Sequence, residues 1–107
     1  MSETLEERFH RKLESSYWEV GRATSYWANR FLQKVRRVGG LQASREWLDA
    51  KKDTAAGLDR VVSVGRADLS LEAMVLEEEW KELFTPEERR IARERLDAAI
   101  ARHRGNT

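Results

Sequence analysis

A stripe of mainly apolar residues runs along the first third of the chain at helical intervals: Phe9, Leu13, Tyr17, Val20, Thr24, Trp27, Phe31, Val35 and Val38. Every step is three or four residues, which matches the period of an α-helix. Gly21 interrupts the pattern without shifting its phase. The segment is therefore either one continuous helix or two helices broken near Gly21. A continuous helix would be a rod of roughly 45 Å. A compact chain of this length has a radius of gyration of only about 13 Å. The rod must then break, or project and find a partner.

Punctuation along the chain marks the other elements. Thr4 and Glu7 have capping-box spacing, so the first helix starts at Thr4, and Gly39-Gly40 ends the stripe. Leu41–Ala50 reads as a short helix with Leu41, Ser44, Trp47 and Leu48 on one side. Lys51–Thr54 reads as a polar loop in which Asp53 or Thr54 caps the next helix. Leu58, Val61, Val62 and Gly65 describe that helix, although Val61, Val62 and Val64 would also suit a strand. Arg66-Ala67-Asp68 is a turn. Ser70 then caps a helix carrying Leu71, Met74 and Val75 and extending to Leu83, with Leu69 and Met74 at hydrophobic-staple spacing. Thr85-Pro86-Glu87-Glu88 is the clearest start signal: Thr85 caps, Pro86 suits the first helical position and Glu88 completes the capping box. The last helix runs from Pro86 to about His103 and buries Ala92, Leu96, Ala99 and Ile100, leaving 104–107 frayed.

The fold class expected is all-α: a long N-terminal helix packed by three or four shorter ones, in a single domain over residues 1–107. The short helices are expected to cover Trp27 to Val38. That leaves residues 1–20 less covered and projecting from the compact part.

The punctuation from Phe31 to Leu96 also carries a resemblance. Its marks are Phe31-Leu32, Gly39-Gly40-Leu41, Gly57-Leu58, Gly65-Arg66-Ala67-Asp68-Leu69-Ser70, Glu72, Val75-Leu76, Trp80 and Leu83-Phe84-Thr85. This stretch resembles a family of small bacterial proteins and domains, mostly uncharacterised, that occur near restriction-type or HNH nuclease domains. The resemblance implies a specified turn at Gly65, Asp68, Leu69 and Ser70. It brings no catalytic residue.

Composition narrows the chemistry. With no cysteine, the chain has no disulfide, thiolate nucleophile or cysteine-ligated zinc, and a reducing cytoplasm is the expected location. Met1–Phe9 is acidic and lacks the apolar centre of a secretory signal, and no apolar run approaches the ~20 residues that span a bilayer. The 20 basic and 19 acidic residues nearly cancel, so net charge does not point to nucleic acid. Glu7 and His10 have the Glu-x-x-His spacing of bundle metal sites, but no second such pair exists, and His10 reads as a surface residue. No Ser/His/Asp set, phosphate-binding glycine loop or zinc spacing is present. No catalytic residue, cofactor, metal, membrane or small-molecule substrate is therefore assigned.

Two candidate surfaces remain. Phe9, Leu13, Tyr17, Trp18 and Tyr26 form a candidate protein interface on the less covered half of the stripe, since aromatic side chains beside arginine have hot-spot composition. Arg22, Arg30, Lys34, Arg36 and Arg37 form a basic face that could follow phosphates. A second basic cluster, Arg89, Arg90, Arg93 and Arg95, opens the last helix, where nearby glutamates can neutralise it. The two central short helices have the scale of a helix-turn-helix, but Asp59, Arg60 and Ser63 make a thin reading head. The sequence thus favours a non-catalytic bacterial adaptor or accessory protein working through contacts with a protein partner or a second copy. The alternative is a nucleic-acid-binding accessory, in a defence or restriction setting, that uses the basic face.

Overall fold

The computed structural model describes residues 3–49 and 55–105. The expected loop at Lys51–Thr54, with its caps, lies outside them, as do Asn106 and Thr107. Among the described residues every regular element is helical, as the periodicity requires. The helices are α1 (Leu5–Thr24), α2 (Asn29–Val38), α3 (Gly40–Asp49), α4 (Ala55–Ser63), α5 (Leu71–Leu76) and α6 (Pro86–Gly105). Two 3₁₀ segments, Ala67–Leu69 and Glu78–Leu83, flank α5. Among the described residues no helix is long and apolar enough to cross a membrane.

Both expected capping boxes form. The Glu7 amide donates to Thr4 Oγ1 at 3.1 Å while the Thr4 amide donates to Glu7 Oε1 at 3.2 Å. The Glu88 and Thr85 amides make the equivalent pair at 3.0 and 2.8 Å. Glu7 is thereby committed to its own helix start, with its carboxyl held below the usual carboxylate range by the Thr4 amide and hydroxyl.

The long stripe does break, but not at Gly21. α1 ends where Ser25 turns left-handed at φ 64°, and α2 restarts at Asn29. Thr24 supports the turn: its hydroxyl donates to the Val20 carbonyl at 2.7 Å and accepts the Tyr26 amide at 3.0 Å. Gly21 stays helical because the turn lays the Trp27 ring directly over it. A β-carbon at Gly21 would stand 2.0 Å from Trp27 Cζ3. The glycine is a seat for an indole rather than a hinge.

The first half of the stripe is covered at Phe9 and Leu13. Phe9 is 0% exposed and Leu13 is buried beside it. Phe9 packs edge-to-face against Trp80 and Phe84, with ring centroids 5.3 Å away in both cases. Its cover comes from the segment after α5. α3 also closes on α1, so tightly that a β-carbon on Gly40 would lie 2.9 Å from His10 Cα. There the Gly40 amide donates to His10 Nδ1 at 2.9 Å. His10 is thus half-buried and caps the start of α3, which corrects its reading as a surface residue.

α5 stops at Leu76 instead of reaching Leu83. Trp80 lies nine residues after Leu71, about 180° around a helix at 100° per residue. A continuous helix could not bury both on one core. Glu77 adopts an extended conformation, and the 3₁₀ segment that follows turns Trp80 inward. Its Nε1 then donates to Glu77 Oε1 at 3.0 Å. A second core joins α4 to α6 through Leu58, Val61, Val62, Leu96 and Ala99, which settles the valine-rich segment as a helix. At its far end α6 runs through Arg104 to Gly105.

Candidate binding face and cavity

The turn that ends α1 builds the most unusual surface of the molecule. Tyr17 and Trp18 lie in the penultimate turns of α1, and Trp27 folds back against them. The three rings stack edge-to-face, with centroids 5.2 Å apart for Tyr17–Trp18, 5.5 Å for Tyr17–Trp27 and 5.8 Å for Trp18–Trp27. The Tyr17 hydroxyl donates to Asn29 Oδ1 and ties the cluster to the start of α2. Unlike a core cluster, this one faces water: Trp18 is 50% and Trp27 41% exposed.

Of the interface residues expected from sequence, Tyr17, Trp18 and Tyr26 therefore lie at or beside this surface. Phe9 and Leu13 do not, because both are buried in the core, Phe9 against Trp80 and Phe84. Trp27, expected in the core, belongs to the surface cluster. The stripe places it inward only if the helix keeps its phase through residues 25–28, and the turn resets that phase.

The basic face is largely neutralised within the chain. Lys34 Nζ lies 2.8 Å from Glu46 Oε1, and Arg36 Nε lies 3.3 Å from Glu14 Oε2. Arg37 also lies near enough to Glu46 to lower its carboxyl pKa, behind the larger effect of Lys34. Among the described residues Arg22 and Arg30 have neither an ion pair nor a side-chain hydrogen bond. Arg22 lies one helical turn beyond Trp18 on α1, and Arg30 directly follows Asn29, the residue that holds the Tyr17 hydroxyl.

In the second basic cluster, Arg89, Arg90 and Arg95 are engaged within the chain. Arg89 donates to the Val75 and Leu76 carbonyls at 3.4 and 2.9 Å, satisfying the end of α5. Arg95 does the same for α3 through the Trp47 and Leu48 carbonyls at 2.9 and 3.0 Å. Arg90 lies between Glu87 and Glu94. The thin reading head of α4 is thinner still, since Asp59 accepts from Arg102 at 2.9 Å.

Behind the aromatic cluster lies a cavity of about 100 Å³. Its lining includes Tyr17, Val20, Tyr26 and Ala28 around the turn after α1, together with Phe31, Trp47, Leu58 and Met74. Phe31 and Trp47 meet edge-to-face at 5.3 Å. The lining includes one carboxyl, that of Glu72, whose residue is 3% exposed. Burial pushes this carboxyl up from the usual range, while its own backbone amide, Arg95 and the Trp47 indole pull it back. Arg95 Nη1 stands 4.0 Å from Glu72 Oε2. Sequence reasoning missed both Glu72 and the cavity. A glutamate one residue after Leu71 and two before Met74 was the available signal, since it falls within the buried span of α5.

Among the described residues no group of three or more histidine, aspartate or glutamate side chains could hold a metal ion. No family model, curated protein or solved structure matches the chain.

Proposed function

We propose that this chain is a non-catalytic binding module that docks an acidic, aliphatic segment of another protein on the Tyr17–Trp18–Trp27 face. The exposed edge-to-face cluster, together with Arg22 and Arg30 without carboxylate partners, carries this reading. Tryptophan, tyrosine and arginine dominate interface hot spots because they offer large rigid contact area at little conformational cost. Here Gly21 and Asn29 already hold the rings in place, which reduces the ordering cost further.

Charge argues for a partner other than a second copy. A two-fold dimer built on this face would set the surface against itself, and Tyr17, Trp18, Trp27 and Asn29 offer Arg22 and Arg30 no carboxylate. A segment bearing Asp or Glu beside apolar residues meets the same face and supplies one. Nucleic acid is the less favoured partner, because Lys34 and Arg36 interrupt the basic stripe with internal pairs.

The test is selection from a random dodecapeptide display library on the intact protein, followed by titration of the recovered peptides. Recovered sequences should combine Asp or Glu with Leu, Ile or Met. Their binding should weaken with added salt and be lost in the Trp18→Ala/Trp27→Ala variant. Recovery of no peptide that distinguishes the wild type from this variant overturns the proposal. Tight binding of a single-stranded oligonucleotide on the same two tryptophans would replace it with the nucleic-acid reading.

A further inference from the structure

The cavity and the aromatic face share a residue. Tyr17 belongs to both: its ring packs against Trp18 and Trp27, and it lines the cavity. Val20, Tyr26 and Ala28, all half-buried around the turn after α1, also belong to the lining. Trp18 and Trp27 thus touch a tyrosine that also lines the apolar cavity.

We propose that this cavity receives one aliphatic side chain, of leucine, isoleucine or methionine size, from the acidic segment docked on the Trp18–Trp27 face. This rests on the docking function proposed above and specifies its partner. Volume selects the occupant. An apolar cavity of about 150 Å³ stays dry and admits benzene. At about 100 Å³ this one suits a branched aliphatic group better than an aromatic ring. The lining agrees, since Phe31, Trp47, Leu58 and Met74 present carbon surface. Glu72, the carboxyl in the lining, is engaged by the Trp47 indole and by Arg95, which reaches it from α6. The anchor thus requires no polar atom of its own. The charge of the segment falls outside, where Arg22 and Arg30 lack partners.

Two measurements test this. In the first, the protein is placed under xenon pressure, and the methyl resonances of Leu58, Val61 and Met74 are followed by NMR. Selective shifts at these methyls are expected, because apolar cavities admit xenon. No selective shift overturns the proposal, whatever binds outside. In the second, a selected peptide with a single leucine is titrated against the wild type and Leu58→Phe, which fills the cavity from α4. Ala28→Leu, which adds bulk to the lining, serves if Leu58→Phe does not fold. Leucine-to-alanine in the peptide and the filling substitution should each weaken binding roughly 10-fold or more, as loss of an apolar pocket contact does. Combined, they should cost little more than either alone, since both remove the same contact. A peptide that binds on the tryptophans yet is indifferent to both changes overturns the anchor and leaves the docking face standing. Failure to recover any peptide removes the docking reading itself.

Discussion

Two aromatic triads organise this protein, and the ring contacts in both are edge-to-face. Phe9, Trp80 and Phe84 meet edge-to-face at 5.3 Å, and Tyr17, Trp18 and Trp27 meet edge-to-face at 5.2–5.8 Å. What separates them is water. The first triad is closed by α1 and the segment after α5, with Phe9 wholly enclosed, whereas the second leaves Trp18 and Trp27 about half exposed. Aromatic stacking alone therefore does not distinguish structure from function. The distinguishing observation is ordered geometry maintained where burial does not require it, by the Gly21 seat and the Tyr17–Asn29 hydrogen bond.

The largest effect should come from the buried triad. Phe9→Ala removes a wholly enclosed ring and is expected to cost about 3–5 kcal/mol of stability, a large share of what a domain of this size has. Urea unfolding measures it. A loss no greater than that of Trp18→Ala would erase the distinction between the triads. Gly21→Ala probes the seat beneath the outer triad. Alanine should favour the helix by about 1 kcal/mol, but its β-carbon would occupy the space of the Trp27 ring. The expected outcome is a small net change in stability together with altered near-ultraviolet circular dichroism and a red-shifted tryptophan emission. Unchanged spectra would mean that Trp27 does not sit on Gly21.

Glu72, between the two regions, gives a smaller effect with a defined sign. Burial raises its folded pKa above the unfolded value. Its contribution to stability is thus complete below the ordinary carboxylate range and is lost as pH rises through the raised folded value. Glu72→Gln removes this titration. Its stability relative to the wild type should therefore rise as pH climbs above the ordinary carboxylate range, measured by thermal unfolding across a pH series. A pH-independent difference would show that Arg95 holds the carboxylate charged without penalty.

Much of this architecture is legible locally. The capping boxes at Thr4/Glu7 and Thr85/Glu88 are short-range hydrogen bonds, and both form where the residues specify them. The stop of α5 at Leu76 overturns the expected extension to Leu83, although the opposed phases of Leu71 and Trp80 are the signal for it. What the sequence conceals is which half of the stripe is covered. Phe9 is enclosed by residues about seventy positions away, a pairing that no local period encodes. The inward placement of Trp27 fails for a different reason. A stripe assumes unbroken phase, and a serine in the left-handed conformation at position 25 cancels it. The roles of Arg89 and Arg95 are equally hidden, since a charge count does not distinguish a solvated arginine from one that satisfies helix carbonyls.

The central claim is that the outer triad is kept for binding rather than for folding. The most direct test is the affinity of a library-selected acidic, aliphatic peptide for the wild type and for Trp18→Ala/Trp27→Ala, with the unfolding free energy of both proteins recorded alongside. Binding should fall by about 2 kcal/mol or more, as hot-spot removal does, while stability changes far less than in Phe9→Ala. A variant that binds as well as the wild type, or one that unfolds as readily as Phe9→Ala, would contradict the claim.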